Sequence, residues 1–158
     1  MLKNLFLPLL FLATTSAATA QTSCAAPVVK VLRNGVEIPA TGSPMAPGVR
    51  LQITPDPACT EKISYRVAAA EVTLMRNGRP LLPTLLVKQP QADLRGFLRH
   101  AQPGDRIYVF IPYKNLRVVL PDGTQQPFLL PVPAKPKPRQ LDLETEAAKG
   151  ISFCWILL

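Results

Sequence analysis

Histidine is almost missing from this chain. One, His100, stands among 158 residues, with three cysteines, one tryptophan and only 6% aromatic residues. A lone imidazole gives no histidine-rich metal site. The spacings of Cys24, Cys59 and Cys154 contain no CxxC pair and no Cys/His zinc pattern. No G-x-S-x-G, no HExxH and no phosphate-binding glycine loop occurs, and no Cys–His arrangement has an obvious base. The aromatics are too sparse for a single-strand nucleic-acid platform. No apolar run approaches the ~20 residues needed to cross a bilayer. The chain therefore reads as a non-enzyme, with no cofactor, no metal and no nucleic-acid partner.

What is present begins at the N-terminus. "MLKN" places Lys3 before "LFLPLLFLA", an apolar run broken by Pro8, and "TTSAATA" ends in Ala18-Thr19-Ala20. A basic start, a short apolar stretch and an A-x-A site predict a cleavable signal over 1–20 and a mature chain starting near Gln21. The product is expected to be periplasmic or secreted, with no transmembrane segment after cleavage. "QTS" before Cys24 lacks the leucine and small residues of a lipidation site. Loss of Lys3 lowers the formal net charge from +8 to +7, which favours acidic partners or anionic surfaces. Export permits disulfides. Cys24 and Cys59 flank a hairpin block, 21–61, and a bridge between them would stabilise it by roughly 3–4 kcal/mol. Cys154 is left over, free or intermolecular.

Eighteen prolines and eight glycines, scattered rather than clustered, cut the chain into short pieces. Between the cuts lie "VVKVL", "VRLQI", "ISYRVAAAEVTLM", "LLPTLLV", "RIYVFI", "LRVVL" and "FLLPV". These predict a mainly β fold, a small β-sandwich-like domain of short antiparallel strands. One segment differs. In "PQADLRGFLRHA", Leu94, Phe97, Leu98 and Ala101 fall on one helical face, with Pro90 opening a short helix. Gly96 weakens that helix by roughly 1 kcal/mol. Turns are expected at Asn34-Gly35 and Asn77-Gly78, the strongest hairpin signal, at Pro103-Gly104, and at Pro121-Asp122-Gly123. "VKVLRNGVEIPAT" (29–41) echoes "VTLMRNGRPLLPT" (72–84), and "APGVRLQI" (46–53) echoes "QPGDRIYV" (102–109). Duplication and convergent hairpin chemistry explain the echo equally well. After a β domain over 62–133, "PAKPKPRQ" reads as a Lys/Pro linker. The rest of 134–158, including the apolar Ile151–Leu158, is expected to be a flexible tail.

Two acidic residues bracket one stretch, Asp105 and Asp122. On one bent strand kinked at Pro112 they would lie tens of ångströms apart, at ~3.3 Å per residue, whereas paired glycosidase carboxylates need about 5–9.5 Å. Both aspartates are expected to punctuate strands. Arg95 and Arg99, four apart, form a basic ridge that with Arg76, Arg79 and Arg106 could face an acidic surface.

The stretch from Tyr65 to Val132 carries "YRVAAAEVTLMRNGRPL", "LRGFLRHAQPGDRIYVFIPYKNLRVV" and "LPDGTQQPFLLPV". It resembles the C-terminal domain of GldM, the periplasmic gliding-motility and type IX secretion component of Bacteroidetes. The resemblance implies a β-rich periplasmic protein–protein interaction domain with an envelope protein as partner, and leaves self-association open. GldM also has an N-terminal transmembrane helix coupled to a motor subunit. Here a cleavable signal and the 21–61 block stand in that place, so the motor role does not carry over. The competing expectation is a basic domain that binds anionic envelope polymers, peptidoglycan or lipopolysaccharide.

Overall fold

Two Asn-Gly pairs lay down the same geometry twice. Asn34 and Gly35 have φ of 51° and 83°, and Asn77 and Gly78 have 51° and 77°, the paired left-handed conformation that folds a strand tightly back. The computed structural model describes residues 27–129 and 149–158. The signal, Cys24 and 130–148 lie outside the described residues. The first pair joins β1 (Val28–Arg33) to β2 (Val36–Glu37), and the second joins β5 (Ala70–Arg76) to β6 (Arg79–Pro80). β3 (Gly48–Thr54) then returns antiparallel beside β1, and β9 (Arg106–Pro112) returns beside β5. Ile38 N–H donates to Val31 O at 2.7 Å, and Leu81 N–H donates to Leu74 O at 2.8 Å. These bonds occupy equivalent places in the two echoes, so the sequence repeat is also a repeat of structure.

Each unit gains one further strand. β8 (Gln91–Asp93) adds to β3, and β12 (Gly150–Ile156) adds to β9. The result is a four-stranded sheet, β2-β1-β3-β8, and a five-stranded sheet, β12-β9-β5-β6 with β7 (Leu85–Val87) beside β5. A third sheet, β11-β10-β4, is built from β4 (Ser64–Val67), β10 (Leu116–Val119) and β11 (Gln125–Pro127). The fold is mainly β, with small antiparallel sheets in a sandwich-like arrangement and one short helix. Apolar residues of all three sheets share one core, which includes Val31, Leu74, Ile107, Leu116 and Trp155. The block 21–61 therefore does not pack by itself, since β3 takes β8 from the following stretch.

The kink expected at Pro112 is a complete break. Three residues separate Val67 from Glu71 on one side of the ribbon, and five separate Phe110 from Leu116 on the other. A 3-10 turn at Tyr113–Asn115 takes up the difference. Ala68 N–H donates to Asn115 O at 2.8 Å, and Asn115 Nδ2 donates to Ala69 O at 3.2 Å. Buried positions change parity across the break, from Ile107, Val109 and Ile111 to Leu116 and Val118, which accounts for the phase change in the sequence.

Three other expectations are corrected. The helix shrinks to one turn, α1 (Arg95–Leu98), because Leu51 N–H takes Pro90 O and Leu94 N–H takes Pro47 O, drawing Gln91–Asp93 into a sheet. Leu94 and Phe97 are buried as expected, while Leu98 is exposed. In "FLLPV", Phe128 and Leu129 lie outside any strand, just after β11, with Phe128 buried, and the rest of that run lies outside the described residues. The flexible tail is also wrong for its last part. Gly150–Ile156 pairs with β9 along its whole length, because Ile151, Phe153 and Trp155 alternate onto the core face opposite Ile111, Val109 and Ile107. Trp155 and Leu157 are each only 2% exposed.

Glycine substitutions should separate two roles. A Cβ at Gly150 would lie 2.5 Å from Ile111 O and 2.7 Å from the Phe110 ring, whereas one at Gly96 meets nothing within 4 Å. Thermal melts are expected to show Gly150→Ala lowered and Gly96→Ala raised by up to ~1 kcal/mol. Trp155→Ala should cost about 3–5 kcal/mol, and a chain ending at Lys149 should lose cooperative melting.

Candidate functional site

Asp105 and Asp122 have different surroundings. The Asp105 side chain is 4% exposed. Its Oδ1 accepts Arg76 Nε at 2.8 Å, and its Oδ2 accepts Arg76 Nη2 and Gln102 N–H, both at 2.8 Å. Arg76 Nη2 also donates to His100 O at 2.9 Å. The Arg76 hydrogen bonds, aided by Gln102 N–H and opposed by burial, hold the Asp105 carboxyl below the usual carboxylate range. Its backbone is engaged too: Leu157 N–H donates to Asp105 O, and Gly104 N–H donates to Leu157 O, each at 2.8 Å. Asp105 thus joins the end of β5, the loop before β9 and the end of the chain. Asp105 closes the turn expected there, its N–H donating to Gln102 O at 3.1 Å, and it also reaches beyond local punctuation, because its main partner stands 29 residues away.

Asp122 is the turn residue expected of it. It accepts Thr124 N–H at 2.8 Å and the Thr124 hydroxyl at 2.9 Å, while Gly123 at φ 83° completes the hairpin. Those bonds lower its pKa as well. Each carboxylate is held by its own partners and neither by the other.

The basic face is thinner than five arginines suggest. Arg76 is engaged by Asp105. Arg95 forks onto Asp93, with Nε 3.0 Å from both oxygens and Nη2 2.6 Å from Oδ2. That contact lowers the Asp93 pKa to about 2. Arg79, Arg99 and Arg106 are exposed. Cys59 is disulfide-bonded and Cys154 carries a free thiol; the expected partner, Cys24, lies outside the described residues.

The feature that sequence reasoning missed is the outer face of the five-stranded sheet. Register places Glu71, Thr73 and Met75 opposite Phe110, Tyr108 and Arg106, and those opposite Ser152, Cys154 and Ile156. Among the described residues no helix or strand layer covers this face, which forms an open groove of about 1040 Å³. Tyr108 and Phe110 stack along it, with centroids 6.4 Å apart and planes 10° from parallel. The Thr73 and Thr84 hydroxyls pair at 3.0 Å beside it. Arg106 and Lys149 are basic and Glu71 acidic among its lining. Burial pushes the Cys154 thiol up, against the pull of the Arg106 charge, so it stays protonated at neutral pH and is a poor nucleophile. The signal was in "RIYVFI" and "SFCWI", apolar at both parities where a strand with one wet face should alternate.

Among the described residues no helix is long and apolar enough to cross a membrane, and no group of three His, Cys, Asp or Glu could hold a metal ion. No protein-family model, curated protein or solved structure matches the chain.

Asp105→Ala is expected to cost roughly 2 kcal/mol, below the full value for breaking a buried pair because Arg76 can rehydrate. Asp122→Ala should melt close to the parent. A carboxyl with a depressed folded pKa contributes stability above its unfolded pKa and loses it as pH falls through the folded value. Resistance to urea unfolding should therefore fall below about pH 4, and Asp105→Asn should show a shallower acid loss.

Proposed function

We propose that this chain is an exported, non-catalytic interaction module that docks an extended segment of an envelope protein in the groove over Tyr108 and Phe110. The observation that carries the reading is that open, aromatic sheet face with charges of both signs in its lining. Stacked aromatics and Met75 offer apolar contact at low cost in side-chain entropy, and protein interfaces are enriched in such residues. The motifs between Tyr65 and Val132 that resemble the GldM C-terminal domain support an envelope process such as gliding or type IX secretion. Binding to an anionic polymer draws on the net charge of +7 that remains once Lys3 is cleaved away. It is the weaker reading, because two of the five arginines that would serve it are already matched by aspartates.

Photo-crosslinking in the native envelope tests the assignment. A photoreactive phenylalanine at Tyr108 should capture one discrete protein, and one at Arg117, on the separate β10 strand, should not. Capture should persist at about 1 M salt, where the Debye length is about 3 Å. Equal capture from both positions, or loss in salt, would overturn the groove as the docking surface.

A further inference from the structure

We infer that a second copy of this chain pairs along the edge of β12 that is open among the described residues, in an antiparallel two-fold ladder centred on Ser152. The inference does not depend on the groove reading, since it concerns the backbone edge of the sheet and not its face. A sheet edge with unpaired N–H and C=O groups invites another strand, and proteins blunt such edges by shortness, charge or proline. β2, β6, β7, β8 and β11 have only two or three residues each, and Glu37, Arg79, Pro80 and Pro127 stand among them. β4 has four and carries Arg66. β12 has seven, GISFCWI, with no charge and no proline.

Its open section can be located. Leu157 bonds toward the β9 side, through its N–H to Asp105 O and its C=O from Gly104 N–H. Antiparallel ladders alternate, so the backbone groups of Gly150, Ser152, Cys154 and Ile156 point away from β9. At Ile156 that side is taken: Ser43 N–H donates to Ile156 O at 2.9 Å, and Leu158 N–H donates to Ser43 O at 3.3 Å. Among the described residues no strand is hydrogen-bonded to Gly150–Cys154 on that side.

A two-fold ladder centred on Ser152 uses this section and stops short of Ser43. Ser152 faces Ser152 of the other copy, and Gly150 faces Cys154 of the other copy, each as a hydrogen-bonded pair. On the core side Ile151 meets Phe153 of the other copy. Phe153 is only half-buried in one chain, so pairing would cover it further.

Charge selects the occupant. Two copies of a chain carrying +7 once Lys3 is cleaved away repel wherever basic surface meets basic surface. Gly150–Cys154 carries no formal charge, and uncharged contact is what self-association of a basic protein requires. An acidic partner would be drawn to the exposed Arg79, Arg99 or Arg106.

The test places cysteines along the edge in a Cys154→Ser background. Hydrogen-bonded antiparallel pairs hold Cα atoms about 5.5 Å apart, within disulfide range. Ser152→Cys is therefore expected to form a disulfide-linked dimer on oxidation, near twice the 17.3 kDa chain mass, while Ile156→Cys stays monomeric. Sedimentation of the chain with native Ser152 should show a concentration-dependent dimer. Ser152→Pro should abolish it with little change in melting of the dilute monomer, because the lost N–H faces outward and proline is tolerated on a free edge. The inference is overturned if the native-edge chain is monomeric at every concentration, if Ser152→Pro leaves a dimer intact, or if Ile156→Cys cross-links as readily as Ser152→Cys. It is equally overturned if Ser152→Pro lowers the melting of a monomer, which would mean that another part of the same chain already occupies the edge.

Discussion

The ladder between β9 and β12 closes the molecule. β9 is apolar on both faces, with Ile107, Val109 and Ile111 inward and Tyr108 and Phe110 outward. Without a neighbour it would also leave its backbone groups unpaired beside the core. The C-terminal strand supplies that neighbour and brings Trp155, whose indole is among the largest fully buried side chains. Asp105 fixes where the ladder ends. Its carboxylate holds Arg76 on β5, and its carbonyl takes Leu157 N–H from the chain terminus. One residue thus links the central strand, the returning strand and the closing strand, and a slip of register would have to break all of these bonds together.

The two repeated units explain why the sandwich needs little else. Each is a strand, an Asn-Gly hairpin and a strand returning on the other side, and each leaves one apolar face to be covered. Val29 and Val31 of the first unit and Val72 and Leu74 of the second are buried in one core. The units differ in the strand that completes them. The first is closed by the three-residue β8, the second by the seven-residue β12. The asymmetry gives the five-stranded sheet a broad outer face, where the groove lies.

Much of this architecture is legible in the sequence, and the reason is local chemistry. Asn-Gly fixes two left-handed residues, and Pro-Asp-Gly fixes a turn whose bonds run only to Thr124, so each can be read from a few neighbouring residues. The misses are non-local. Asp105 closes the turn that the sequence announces, but its pairing with Arg76 shows only once the sheet brings the two together. "ISFCWILL" follows a Lys/Pro tract with no partner in sequence, and only the β9 register shows that it alternates onto the core. The helical periodicity of "PQADLRGFLRHA" is real for Leu94 and Phe97, but backbone bonds to Pro47 and from Leu51 give its first half to a sheet. The groove is hidden for a different reason. Apolar residues at both parities signal β propensity on their own, and only the sheet order shows that, among the described residues, no strand layer covers one of the two faces.

Small residues on β12 shape both surfaces of that strand. The Phe110 ring lies over Gly150, in space that a Cβ would fill, so the floor of the groove depends on a residue of the closing strand. Ser152 and Cys154 lie on the same face, opposite Phe110 and Tyr108. A lysine there, the usual protection of an edge strand, would blunt that edge and also place a third cation near Arg106 and Lys149. A neutral, narrow β12 keeps the groove aromatic and the edge uncharged, the two conditions on which the proposed docking on the face and the inferred pairing along the edge rest.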